Sequence, residues 1–290
     1  MSKGSVSHQE REAQLTEMLE ALDISESLEK KLQETTAMAK TNSELVMAGS
    51  GYGAFKKPGR WSEHLEFVME TDSLKQWKTF FDTGVLHKPA VDRVPDEFLI
   101  DRSNLEFLVN TLDAENKDNW YAYYQAGLGC FSEETYDSAE QYLLRSWELA
   151  HNPWACHGLA CTYLLGERYE DAAKWMAEGL NMEHTHVSYL KEAFRILTAC
   201  QAYEEIVTFY EGQSKDMQEV GKLKFYYINA LHQLGESGKA YELLEENGGL
   251  VIDDIREGQD SLSQLWSDLH EALYGVKEPI PYRFNFKMSQ

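Results

Sequence analysis

The sequence predicts an all-α protein, a solenoid of helix–turn–helix repeats with an additional helical region before it. Two observations carry this prediction. Apolar residues recur at helical spacing through most of the chain, at i, i+3, i+4 and i+7. Small or compact residues also recur at Ala139, Ala172, Ile206 and Ala240, with separations of 33, 34 and 34. A period of about 34 residues is that of paired helices stacked into a quasi-one-dimensional array.

The array is expected over 119–247, as about four repeats. The first helix of the first repeat begins at Trp120, with Tyr123, Ala126, Gly127 and Cys130 facing inward, and its second helix follows with Tyr136, Ala139, Leu143 and Ser146. The next repeat sets Cys156, Leu159, Ala160 and Tyr163 against Tyr169, Ala172, Met176 and Gly179. Leu190, Ala193, Phe194 and Leu197 with Tyr203, Ile206 and Tyr210 make the third; Lys224, Tyr227, Ile228 and Leu231 with Ser237, Ala240 and Leu244 make the fourth. Small residues mark close helix crossings and large ones fill the space between them. Pro153 marks the end of a helix after the first repeat.

Residues 248–290 read as a closing helix and tail. Ser261-Leu-Ser-Gln264 has the spacing of a capping box, and Leu262, Leu265, Trp266, Leu269 and Leu273 form the buried stripe that would cover the open end of an array. Gly275 and Pro279 stop that helix, and the aromatic tail from Ile280 to Met288 is expected to lie back on the helices. Residues 1–118 differ in kind. Leu15, Met18, Leu19 and Leu22, then Leu28 and Leu32, form amphipathic stripes; a Gly-rich loop spans Gly49–Gly53; helical patterning resumes with Leu65, Phe67, Val68, Leu74, Trp77, Phe80 and Phe81. A Pro-marked linker is expected over 88–95, and a further helix over Asn104 to Leu112.

Composition narrows the function classes. The chain has 290 residues, 43% hydrophobic and 12% aromatic, enough for a substantial core. Its net charge is −22, which disfavours nucleic acids and anionic membrane surfaces, both of which call for clustered Lys and Arg. The four cysteines, Cys130, Cys156, Cys161 and Cys200, lie in apolar helical contexts with no C-x-x-C pair, which fits a reducing cytoplasm. The segment Met1 to Arg11 is polar and lacks an apolar core, so a secretory leader is not expected, and no apolar run reaches the roughly 18 residues of a membrane span.

Gly127, Tyr136 and Ala139, and again Ala160, Tyr163, Tyr169 and Ala172, resemble the tetratricopeptide repeat. Ile206 replaces the Ala of that pattern in the third repeat and Ser237 the Tyr in the fourth. A second resemblance rests on Gly49-Ser-Gly-Tyr-Gly-Ala54, His64-Leu-Glu-Phe67 and Phe284-Asn-Phe-Lys-Met288. These are similar to the C-terminal tetratricopeptide region of a family of large bacterial proteins. Those proteins carry an N-terminal β-rich domain of unknown function and are suspected to act on carbohydrate. Phe55 and Lys56 stand where that family's motif continues Leu-Glu. The resemblance implies an accessory module, or a split half, of a carbohydrate-active system, with the Gly49–Gly53 loop contributing to a shared site.

The residues themselves point to binding rather than catalysis. The glycines of Gly49–Gly53 lack both the G-x-x-x-x-G-K-[ST] phosphate-loop spacing and the dinucleotide fingerprint, and read first as a close-approach turn. Glu63 and Glu66 read as a solvated helix face rather than a catalytic pair. Glu183-His-Thr-His186 offers two histidines with no third ligand, so no metal is expected, and no cofactor motif is present. A repeat array presents a concave face lined by the first helix of each repeat. The residues expected there are Tyr121, Tyr124, Leu128, Trp154, His157, Lys191, Arg195, Lys222, Phe225, Asn229 and His232. Aromatics precede cations along that series, a pattern suited to a peptide with an apolar segment beside an acidic one. Lys191 and Arg195, four apart on one helix, are placed to meet one carboxylate. Tyr124 and Leu128 stand where the carboxylate clamp of chaperone-binding tetratricopeptide domains has Lys and Asn, so a chaperone C-terminus is not the expected ligand. The expected partner is a protein or peptide.

Overall fold

The computed structural model describes residues 79–80, 83–95, 102–182, 186–252 and 261–285. The amphipathic stripes before Phe80, the Gly49–Gly53 loop, His64 to Phe67, Phe81 and the tail beyond Asn285 lie outside the described residues, as do Glu183, His184 and Thr185. The described chain is helical, with no strand among the described residues. It divides into two compact units, Met1–Gly158 and Leu159–Gln290.

In the N-terminal unit, α1 (Arg102–Val109) packs on α2 (Trp120–Ser132), which packs along α3 (Tyr136–Leu149). Asn119 starts α2: its Oδ1 accepts from Tyr121 N at 3.1 Å and Ala122 N at 3.4 Å, satisfying amides that have no partner inside the helix. Helix α2 is apolar around most of its circumference and is buried accordingly. Helix α3 is one-sided and buries Ala139, Leu143 and Ser146. Leu143 lies where a Cβ on Gly127 would come within 2.6 Å of its Cγ and one on Gly158 within 2.9 Å of its Cδ2, so the two glycines make room for the leucine. The Ser146 hydroxyl donates to Trp120 O at 2.9 Å and ties the two helices at that level. Pro153 turns out to open a helix, α4 (Pro153–Leu165), as its first residue, a position where the missing amide costs nothing; Asn152 Oδ1 accepts from Ala155 N at 2.8 Å beside it.

Just ahead of the expected linker, residues 84–88 form a strap folded onto the N-terminal unit, while the expected linker over 88–95 is mostly exposed. Asn116 accepts from Leu86 N at 2.9 Å and donates to Gly84 O and Thr111 Oγ1, each at 2.7 Å. Asn119 Nδ2 donates to Leu86 O at 2.7 Å, and Lys88 Nζ reaches Asp118 O at 3.1 Å. Leu86 is buried, and Phe80 packs edge-on against Phe107 with centroids 5.1 Å apart.

The C-terminal unit continues from Leu159 in α4 through α5 (Tyr169–Leu180), α6 (Val187–Ala199), α7 (Tyr203–Glu211), the single turn α8 (Lys215–Gln218), α9 (Gly221–Gln233), α10 (Ser237–Glu245) and α11 (Leu262–Tyr274). Helix α9 is its hub and packs against α6, α7, α8, α10 and α11. Gln218 Nε2 donates to the carbonyls of Tyr210, Glu211 and Gln213, capping the short α7.

One turn is repeated through both units. Glu134, Glu167, Gln201 and Gly235 adopt positive φ, at separations of 33, 34 and 34. The next residue donates back five positions each time: Thr135 to Cys130 O, Arg168 to Tyr163 O and Ala202 to Leu197 O at 2.9 Å, and Glu236 to Leu231 O at 2.8 Å. This is the long bond of a helix C-cap with a left-handed residue. Four residues later Ala139, Ala172, Ile206 and Ala240 donate to that same residue's carbonyl and are fully buried. The sequence period is therefore the period of a backbone turn. Tyr136 and Tyr169, expected to face inward, are 37% and 46% exposed, because each is the first residue of its helix and sits at the turn rather than over the crossing.

Ser261 caps α11, its Oγ accepting from Gln264 N at 3.1 Å. The Gln264 side chain donates onward to Asp268 at 2.7 Å, so only half of the expected capping box forms. Gly275 ends the helix at φ 73°. Leu273 is exposed, whereas the rest of the expected stripe is buried. Phe284 of the tail is fully buried; Ser263 Oγ donates to its carbonyl and Arg283 pairs with Glu245. The start of α9 is equally tight, since a Cβ on Gly221 would overlap the Val251 carbonyl. Gly221→Ala is expected to destabilise the C-terminal unit by about 2 kcal/mol through this overlap. Gly238→Ala on α10, where nothing lies within 4 Å of the added methyl, is expected to be neutral or stabilising. Urea titration of the two variants checks the contrast.

Candidate functional site

The residues expected to line a binding face fall in both units. In the N-terminal unit, Tyr121 and Tyr124 are buried together with Trp120. The Trp120 and Tyr121 rings meet edge-on at 5.4 Å, and Tyr121 stacks on Tyr124 at 6.1 Å. Trp154 is also buried, and its indole N–H donates to Val91 O at 2.9 Å. The chain just after the strap therefore occupies the polar edge of that indole. His157 and Leu128 are half-buried. The aromatic series read as an accessible surface is in this unit largely interior, and Val91 lies against the edge of Trp154.

In the C-terminal unit, α6 and α9 pack together and carry the cationic part of the series. Lys191 and Arg195 are half-buried on α6. Arg195 Nε donates to Glu192 at 2.9 Å, a partner one turn away on its own helix. Burial opposes the Arg195 charge, but the Glu192 hydrogen bond and ion pair more than offset it and hold the guanidinium firmly protonated. Tyr226 of α9 and Cys161 of α4 also lie within its electrostatic reach. Burial pushes the Cys161 thiol up to about 11 despite Arg195 beside it, so this sulfur is protonated at neutral pH and is no nucleophile. On α9, Lys222 and Phe225 are buried, with Phe225 edge-on to Tyr226 at 5.5 Å; Asn229 is half-buried. His232 faces its own hairpin turn, where Nδ1 lies 2.9 Å from Ser237 Oγ. His186 precedes α6 as its N-cap residue, and no group of three metal-binding side chains occurs among the described residues.

Two arrangements escaped sequence reasoning. One is a polar knot in which Tyr227 donates to Glu211 at 2.7 Å, Lys239 lies 3.4 Å from the same carboxylate, and Tyr227 stacks on Tyr210 at 4.1 Å. The Tyr227 hydrogen bond draws the Glu211 carboxyl below its usual range. The other is a cleft of about 590 Å³ across the hairpin turns of the C-terminal unit, with Tyr169, Tyr203 and Leu234 among its walls. A signal for the cleft was present, since Tyr136, Tyr169 and Tyr203 recur at the repeat period directly after the turns.

No protein-family model matches the chain, and neither does any curated protein. No helix among the described residues is long and apolar enough to cross a membrane.

Proposed function

We propose that this chain is a non-catalytic, cytoplasmic protein-binding scaffold of the tetratricopeptide kind. In this reading α6 and α9 offer Lys191, Arg195 and Asn229 to an acidic segment of a partner protein. The observation that carries it is the pair of half-buried cations Lys191 and Arg195 on α6, the helix packed on α9, in a chain whose net charge is −22. In such a background a local positive face is selective for carboxylates and repels other basic surfaces. The Arg195 guanidinium keeps its outer nitrogens for a ligand, since among the described residues only its Nε–H makes a hydrogen bond. A planar, always-charged fork of that kind recognises a carboxylate with two parallel bonds. The turn repeated at intervals of 33, 34 and 34 supports the repeat class.

The test is fluorescence anisotropy of a labelled glutamate-rich peptide against the full chain at physiological salt. The double variant Lys191→Glu, Arg195→Glu is expected to weaken binding about tenfold or more. Lys215→Glu with Lys277→Glu, the same charge change at exposed positions elsewhere, is expected to leave it within about twofold. Equal losses in the two double variants, or none in the first, would sink the assignment of this face.

A further inference from the structure

The cleft at the hairpin turns has a chemistry opposite to that of the α6–α9 face. Its lining comes from the starts of α5 and α7, through Tyr169, Glu170, Tyr203, Glu204 and Glu205, and from Leu234 at the end of α9. Carboxylates in the first turn of a helix are favoured by the helix dipole, so Glu170, Glu204 and Glu205 need no ligand to explain them. The dipole does not account for the apolar walls beside them. Tyr169 is 46% and Leu234 40% exposed, and together they border a cleft of about 590 Å³. Lys174 is the cation of its lining.

The chain shows twice what this combination accepts. Arg168 stacks on the Tyr163 ring at 4.1 Å while pairing with the first-turn acid Asp171 at 2.8 Å. Lys239 lies over Tyr227 at 5.6 Å while pairing with Glu211 at 3.4 Å. In both, a tyrosine ring and a carboxylate hold one cation between them. The cleft brings two tyrosines and three carboxylates together. Among the described residues no hydrogen bond or ion pair engages those three carboxylates.

We infer that this cleft receives the arginine or lysine side chain of a basic segment of a partner protein. The aliphatic stem runs along Leu234 and Ala202, and the charged head sits between the tyrosine rings and the carboxylates of Glu170, Glu204 and Glu205. The inference stands apart from the α6–α9 proposal: it uses different side chains and the opposite ligand charge.

The experiment uses the full chain at physiological salt and two labelled peptides, a pentaarginine and its neutral pentacitrulline isostere. Pentaarginine is expected to bind and pentacitrulline not. The triple variant Glu170→Gln, Glu204→Gln, Glu205→Gln is expected to weaken pentaarginine binding about tenfold. The charge-matched triple Glu178→Gln, Glu219→Gln, Glu242→Gln, at exposed positions away from the cleft, is expected to change it less than about twofold. Tyr203→Ala, which leaves the charge unaltered, is expected to cost about two- to fivefold. Cys200 also lines the cleft, so saturating pentaarginine is expected to slow its alkylation by iodoacetamide, followed by peptide mapping. Equal weakening by the two triple variants would reduce the effect to overall charge and overturn the inference. So would a Cys200 alkylation rate that pentaarginine leaves unchanged.

Discussion

Leu143→Ala is expected to destabilise the protein by about 3–5 kcal/mol, one of the two largest single-residue effects in the structure. Leu143 is fully buried on α3, with Gly127 and Gly158 on the helices to either side. Close approach at a glycine leaves no neighbouring methyl to relax into the vacated space, so the lost side chain becomes a cavity rather than a collapsed gap. The same geometry sets the sign of a second measurement. Gly127→Ala alone forces a methyl to within 2.6 Å of Leu143 and is expected to cost about 1–3 kcal/mol. In the double variant that methyl enters the space Leu143 has left. The pair is therefore expected to be less destabilised than the sum of the single variants, by about 1 kcal/mol or more. Denaturant unfolding of all four proteins, followed by a helix signal, reads this coupling directly. Strict additivity would mean that α2 and α3 do not meet at this point.

Asn116→Ala is expected to release the strap at a cost of about 3 kcal/mol. The side chain is almost fully buried and bonds Leu86 N, Gly84 O and Thr111 Oγ1. Removing it leaves a backbone donor and a backbone acceptor without partners inside the protein, and these regain hydration only if the strap lifts. Hydrogen exchange at the Leu86 amide is expected to accelerate sharply, while the amide of Leu143 in mid-α3 is slowed as before. Trp154, whose indole donates to Val91 O, is expected to gain solvent exposure, read as a red shift in its emission. Asn116→Asp is expected to be no better, because a carboxylate cannot donate to Gly84 O. Unchanged protection at Leu86 in Asn116→Ala would show that Asn119 and Lys88 hold the strap without it.

The two variants act on the N-terminal unit differently. Leu143 acts on the body of the N-terminal unit, whereas Asn116 governs whether the edge of Trp154 is covered. An aromatic surface that opens when the strap lifts would appear in the Asn116 variant as new binding of apolar probes.

Much of the fold was legible in the sequence because it is written in local chemistry. The stations Ala139, Ala172, Ile206 and Ala240 are fully buried, and each lies five residues after a left-handed turn residue. The Ser261 cap and the Gly275 stop are also where the residue types place them. Errors arose where one position serves two periods. Tyr136 and Tyr169 match the apolar pattern of an inward stripe, but the turn geometry sets them at the start of the helix and leaves them exposed. Of the expected binding residues, His157, Lys191, Arg195 and Asn229 keep accessible surface, while Tyr121, Tyr124, Trp154, Lys222 and Phe225 are buried. Periodicity assigns a residue to a side of its helix. It carries no information on what a distant segment lays over that side.

The sequence alone therefore determined the helical class, the period, and which residues stand at the crossings, since all of these follow from contacts within about one repeat. The tertiary structure alone decided what covers those helices. Asn116 and Asn119 draw in backbone groups some 30 residues earlier, at Gly84 and Leu86, and so hold a strap that no local pattern of residues announces. It also assembled Tyr169, Tyr203 and Leu234 into one cleft from three separate turns. Long-range burial of this kind depends on hydrogen-bond satisfaction between segments remote in sequence, and no local pattern of residues records that pairing.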